Sequence, residues 1–369
     1  MARASAASAP ITYSDYLRLD TLLECQRLES VKAHKPAHDE MLFIVTHQTY
    51  ELWFKQILHE LDAVLAIMGQ PVVPERDLSR VLRYLERIVA IQRVLIEQIG
   101  ILETMTALDF LDFRDLLAPS SGFQSVQFRH IENKLGLRRT QRVGYNAMPY
   151  EAALPAASKR QVRATEGRPN LFALIEHWLA RMPFLRFRDY DFWQVYGQNV
   201  QAMLAKDRLA IEHNALLSAE AKEIQLGELE KTRANFDTVF DAAHYQALVD
   251  GGQRRLSYAA FVSALMIHLY RDEPMFHTPF RILTEIVAID ENLTLWRYRH
   301  ALMVNRMIGS KIGTGGSSGQ DYLKRTVEAH RIFTDYFNLS TYLVPRSMLP
   351  PLPESLEREL GFHRDVRSP

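Results

Sequence analysis

The 369-residue chain carries 44 Lys and Arg against 44 Asp and Glu, so its formal charge is zero. Without a basic excess it suits neither nucleic acid nor an anionic membrane surface. Its lone Cys25 excludes an internal disulfide framework, a zinc ribbon and a cysteine-ligated iron–sulfur cluster.

An apolar content of 47% suits a globular protein with a large core, and only 16 glycines disfavour a strand-and-turn fold. A reducing, cytoplasmic location is the expectation. Met1–Pro10 is Ala/Ser-rich and lacks the apolar segment of a secretory signal, so it reads as a frayed tail. No run reaches the ~18 apolar residues of a membrane span, and no repeat period is visible.

The chain then reads as helix after helix. From His38 to Ile67, Phe43, Tyr50, Phe54, Ile57, Leu61 and Leu65 recur at helical spacing. Leu42, Val45, Leu52 and Leu58 widen that stripe. Asp39 and Glu40 fall in the first turn, where the helix dipole favours acids, and Gly69 marks the end. Leu78–Leu102 predicts a second long helix, with Val81, Leu85, Ile88, Leu95 and Ile99 on its apolar face. Thr106-Ala-Leu-Asp109 has the form of a capping box, opening a short helix through Leu117 that Pro119-Ser-Ser-Gly122 ends. Gln124–Leu135 follows as a further helix.

Residues 137–255 are less patterned and read as a variable helical insertion. Phe192–Glu230 is polar and helix-favouring, while Thr165–Pro169 and Asp250–Gly252 are turns. Tyr258–Tyr270 is an apolar helix. Ile286, Ile289, Leu293, Trp296, His300, Met303 and Met307 then alternate steps of three and four, which predicts a long helix ended by Gly309. The expectation is an all-α fold: one helical domain over residues 11–346, and a Pro-containing tail over 347–369.

Several chemistries are missing. There is no GxxxxGK[ST] phosphate loop, HExxH zinc helix or GxSxG elbow. Gly313-Thr-Gly-Gly-Ser-Ser-Gly319 misses GxGxxG by one position and follows a helix, which argues against a dinucleotide fold.

Two histidines, His47 and His300, lie on apolar helical stripes. From the residues alone, each suits either a core histidine bonded to a carbonyl or carboxylate, or a neutral nitrogen ligand for haem iron in a dry wall. Phe43 shares a face with His47, and Phe110 with Arg114, since each pair is four apart. Arg114 suits either a structural ion pair or a forked clamp on a carboxylate. Thr314, between glycines, suits either an ordinary surface loop or close approach to a small ligand.

Five strings carry a family resemblance: Tyr13-Ser-Asp-Tyr-Leu-Arg-Leu-Asp20, Phe43-Ile-Val-Thr-His-Gln-Thr-Tyr-Glu-Leu-Trp53, Phe113-Arg-Asp-Leu-Leu-Ala-Pro-Ser-Ser-Gly-Phe-Gln-Ser125, Trp296-Arg-Tyr-Arg-His300 and Gly309-Ser-Lys-Ile-Gly-Thr-Gly-Gly-Ser-Ser-Gly319. In content and order they resemble the tryptophan 2,3-dioxygenase family, from Ile11 to about Arg346. The middle of the chain matches only loosely.

The resemblance implies an all-helical homotetramer with one haem b per subunit. It implies insertion of O2 across the indole C2–C3 bond of L-tryptophan to give N-formyl-L-kynurenine, the first step of tryptophan degradation. His300 matches the axial haem ligand and His47 the distal histidine that meets the indole N–H. Phe43 matches the aromatic on the indole, Arg114 the carboxylate ligand, Thr314 the hydroxyl at the amino-acid end and Ser121 a small residue at the haem edge. Tyr13 and Tyr16 match tyrosines that complete a neighbouring subunit's pocket. The family varies between Tyr and Phe four residues before Arg114. This chain has Phe110, so a hydroxyl contact to the carboxylate is lost.

Overall fold

Two long helices form the frame because their apolar residues repeat every three or four positions over many turns. α4 (Glu40–Met68) follows three single-turn helices, α1 (Tyr13–Leu17), α2 (Leu19–Leu22) and α3 (Glu29–Lys32). It buries Tyr50, Phe54, Ile57, Leu61, Val64 and Met68, and it ends at Gly69, whose N–H bonds to the Leu65 carbonyl at 2.9 Å. α5 (Glu75–Leu102) buries Val81, Leu85, Ile88, Leu95 and Ile99, and packs between α4 and α14 (Pro274–Ile308). This computed structural model describes residues 10–144, 149–152, 154–182, 185–187, 190–309, 311, 319–349 and 351–360.

Between these helices lie α6 (Ala107–Arg114) and α7 (Val126–Leu135). α6 opens on the expected capping box, with reciprocal bonds between Thr106 and Asp109, and passes into a 3-10 turn at Asp115–Leu117. α7 is capped by Ser125, whose hydroxyl accepts from the Phe128 N–H. It ends at Gly136, whose φ of +110° suits glycine.

The middle of the chain holds α8 (Ala156–Glu166), α9 (Leu171–Leu179), α10 (Phe192–Glu212), α11 (Ala219–Phe240) and α12 (Ala242–Asp250). Phe192–Glu230, read as one stretch, is thus two helices broken at residues 213–218. Phe172, Ile175, Tyr196, Phe236 and Tyr245 from this region join the same core as α4, α5 and α14. A two-stranded ribbon, β1 (Arg186–Phe187) with β2 (Tyr190–Asp191), is the single departure from helix among the described regular elements. The fold is all-α.

α13 (Tyr258–Leu269) is buried almost all round, and α14 follows it. The Ile286–Met307 seam forms as expected, but α14 begins earlier, at Pro274, and carries Pro279 in its second turn. A proline inside a helix removes a hydrogen bond, so the sequence there reads as a boundary. α15 (Gly319–Ala329) and α16 (Thr334–Phe337) complete the wall around α14. Within the stretch read as a C-terminal tail, Glu354–Leu360 forms α17, and Leu352 and Leu356 are buried in the core.

Buried polar groups lock these pieces together. Glu40 is fully buried and accepts the backbone N–H groups of Glu29 and Ser30, so it ties α3 to α4. Asp290 accepts the N–H groups of Ile332 and Phe333, and Asp335 those of Arg255 and Leu256. Each carboxylate satisfies donors that would otherwise be lost to the interior.

Candidate active site

The same faces that bury α4, α7 and α14 leave a cavity of about 310 Å³ between them. α4 contributes Phe43, His47, Tyr50 and Phe54, the α6 region Phe110 and Arg114, and the following loop Ser121–Phe123. α14 contributes Trp296, Arg297, His300, Met303 and Met307. Six of the expected site residues therefore share one wall: Phe43, His47, Phe110, Arg114, Ser121 and His300. Helical spacing explains the pairings, since Phe43/His47, Phe110/Arg114 and Trp296/His300 are all four apart.

The His47 ring lies tilted against Phe43, with centroids 4.1 Å apart, and its Nδ1 lies 2.7 Å from the Phe43 carbonyl oxygen. A carbonyl only accepts, so Nδ1 carries the proton and Nε2 keeps its lone pair. Burial lowers the His47 pKa below 6.5, partly offset by that hydrogen bond and by the Glu51 carboxylate. His47 is thus a neutral acceptor.

His300 stacks on Trp296, with centroids 5.3 Å apart and planes within 9°. Among the described residues its ring has no hydrogen-bond partner. Burial, and secondarily His47, lowers its pKa to about 4. It is a neutral imidazole with an uncommitted lone pair in an apolar wall. No three His, Cys, Asp or Glu side chains converge as a metal-ligand set among the described residues. A lone imidazole of this kind suits a metal that brings its other ligands in a chelate of its own, as a porphyrin does. The stacked Trp296, Phe128 and the methionines of α14 form a wall suited to such a flat group.

Phe110 and Phe113 meet edge to face at 5.5 Å, and both approach Phe43 to 5.7 Å. This aromatic corner is closed on one side by Arg114, whose side chain is 16% exposed and lies 3.7 Å from the solvent-facing carboxylate of Asp115. Ser121 accepts from the Phe123 N–H, fixing the loop beside the cavity. The corner offers a slot for a flat apolar ring with a guanidinium beside it.

Tyr13 and Tyr16 do not line this cavity; they are exposed on α1 by 75% and 72%. Thr314, with the rest of the glycine cluster from 312 to 318, lies outside the described residues. Sequence reasoning missed a charged group in the same wall: Arg129 and Glu132 on α7, Arg297 on α14 and His330 after α15. The available signal was Arg297, a charge set inside the apolar seam one residue after Trp296.

A family model described as Tryptophan 2,3-dioxygenase matches residues 2–343. Three relatives carry the same name. One from Dictyostelium discoideum is 49% identical over 97% of this chain and 90% of its own. One from Bdellovibrio bacteriovorus is 48% identical over 96% and 99%. One from Xenopus laevis is 46% identical over 96% and 87%.

Proposed function

The chain belongs to the tryptophan 2,3-dioxygenase family, and from that premise we propose that it is a haem-dependent enzyme that adds both atoms of O2 across the indole C2–C3 bond of L-tryptophan. The product is N-formyl-L-kynurenine. The observation that carries this reading is the uncommitted neutral imidazole of His300, which shares an apolar cavity with the bare Nε2 of His47.

In this reading His300 would hold the haem iron through its free ring nitrogen, and Trp296 fixes the ring by stacking. When bound, the haem iron supplies the site at which O2 is taken up and activated. Phe43 and the Phe110–Phe113 corner pack the indole. His47 Nε2 accepts a hydrogen bond from the indole N–H. It orients the ring and does not remove the proton, because an indole N–H is far too weak an acid for an imidazole whose pKa lies below ~6.5. Arg114 clamps the substrate carboxylate with its fork, and Ser121, which lines the same cavity, would border the cofactor. Fixing the amino-acid end decides which indole bond faces the oxygen. The apolar wall keeps water from the reacting carbons.

Thr314 is assigned to the amino-acid end, and Tyr13 and Tyr16 to a neighbouring subunit's pocket in a homotetramer. The exposure of both tyrosines on α1 is what that arrangement requires. No helix among the described residues is long and apolar enough to cross a membrane. The test is direct: load the protein with haem, reduce it, supply L-tryptophan and O2, and follow the absorbance of N-formylkynurenine. Product formation is expected, and its absence from the loaded, reduced protein rejects the assignment.

A further inference from the structure

A second, smaller void of about 10 Å³ lies where α4, α5, α7 and α14 meet. Phe54, Phe128 and Trp296 line both this void and the active cavity. Their rings form one partition, with the Phe128 centroid 5.5 Å from that of Phe54 and 5.2 Å from that of Trp296. His300 stacks on the same Trp296 ring, so the void stands one ring away from His300.

Two amide side chains explain why the packing leaves a gap. Gln92 of α5 is buried, and its Nε2 donates to the Ile289 carbonyl of α14 at 3.2 Å. Its Oε1 accepts from Asn292 Nδ2 at 3.4 Å. Both amides are drawn to these partners, and the space between the four helices stays unfilled.

The same bonds leave little to hold a water. The surface that the void presents is almost wholly apolar. Trp296 Nε1 is buried without a hydrogen-bond partner. It offers one donor, whereas a buried water needs about two to four polar partners. The void is at the lower limit for one small molecule. An apolar void of this kind stays dry and forfeits dispersion contacts, which an apolar guest restores.

We propose that this void is a docking site for an apolar diatomic molecule, which in turnover is O2, held one ring away from the cavity where it reacts. The inference rests on the dioxygenase reading above, which makes O2 a substrate. O2 carries no charge and no strong hydrogen-bonding group, so it gains by leaving water for a dry wall. L-Tryptophan is too large for this space. The partition consists of side chains alone, so movement of one ring joins the two spaces.

The experiment pressurises crystals of the haem-loaded chain with krypton, an apolar atom about as wide as O2, and locates it by anomalous scattering. Turnover is measured alongside, with O2 varied at saturating L-tryptophan and the reverse. Krypton is expected between the four helices of the native chain. Leu293 of α14 is buried and lines the void but not the active cavity. Leu293→Phe fills the space, and is expected to lose the krypton and to raise KM for O2 while KM for L-tryptophan is unchanged. Leu293→Ala widens the space, and is expected to take up more krypton and to lower KM for O2.

Absence of krypton from the native void, or an ordered water in its place, overturns the docking site. A native-like KM for O2 in both variants overturns its part in turnover. Should Leu293→Phe fail to fold, Leu293→Ala decides that question by itself. If krypton binds but the loaded, reduced chain forms no N-formylkynurenine, the dioxygenase reading fails, and the assignment of the guest as O2 fails with it.

Discussion

His47 and His300 are both half-buried imidazoles that line the cavity from apolar faces, yet their surroundings prepare them differently. His47 Nδ1 donates its hydrogen bond to the Phe43 carbonyl, which leaves Nε2 as an acceptor, whereas His300 stacks on Trp296 and, among the described residues, commits neither nitrogen. His300→Ala is therefore expected to abolish stable haem retention, read as loss of the Soret band after gel filtration of haem-loaded protein. Normal retention contradicts the ligand role. Arg114→Ala is expected to retain haem but weaken L-tryptophan binding by roughly 2–5 kcal/mol, the cost of leaving a desolvated carboxylate unpaired. A titration of the loaded variant that follows the Soret band measures it, and an unchanged dissociation constant contradicts the clamp.

At the scale of elements, α7 matters more than its ten residues suggest, because it carries Phe128, Arg129 and Glu132 into the cavity wall. Its direction is set where it stops. Gly136 takes φ +110°, and a Cβ there meets Asn170 Oδ1 at 2.6 Å and Phe172 Cβ at 2.9 Å. Gly136→Ala is expected to destabilise the protein by more than about 1 kcal/mol, through strain and the clash with α9. Gly167, at the end of α8, has nothing within 4 Å of an added Cβ and no left-handed φ. Gly167→Ala is expected to be neutral or stabilising by up to about 1 kcal/mol. Urea unfolding of the two variants provides the comparison, and similar losses in both contradict the argument.

For the molecule as a whole, buried titratable groups set a stability window. Burial lowers the pKa values of His130, His268 and His330 from 6.5. As pH falls below 6.5 the unfolded chain binds protons that the folded protein does not, so stability declines on the acid side. Burial raises the pKa values of Tyr196, Tyr245 and Tyr270 from 10.0. Above pH 10 the unfolded chain releases protons that the fold retains, and stability declines again. Denaturant midpoints measured across pH are expected to peak between these limits. A midpoint that rises steadily from pH 7 to pH 5 contradicts the assignment.

The sequence by itself determined the helices of the frame, because burial on one face writes a 3.6-residue period that needs no partner to be read. It also determined the Thr106–Asp109 cap and the Gly69 and Gly309 stops, which are local chemistry. Family resemblance, carried by five strings, placed Phe43, His47, Phe110, Arg114, Ser121 and His300 in one site. The start of α14 was hidden by Pro279, since a proline tolerated in an early turn looks like a break. The division of residues 192–240 into two helices was hidden by a polar stretch without a strong period.

Only the tertiary structure decided the state of the charged wall. Glu132 and Arg297 are 165 positions apart in sequence and 3.0 Å apart in space, and neither belongs to a local pattern that predicts the other. Whether such charges cancel depends on which helices meet and how much water they exclude. Periodicity says which face of a helix is buried, but not which groups face it.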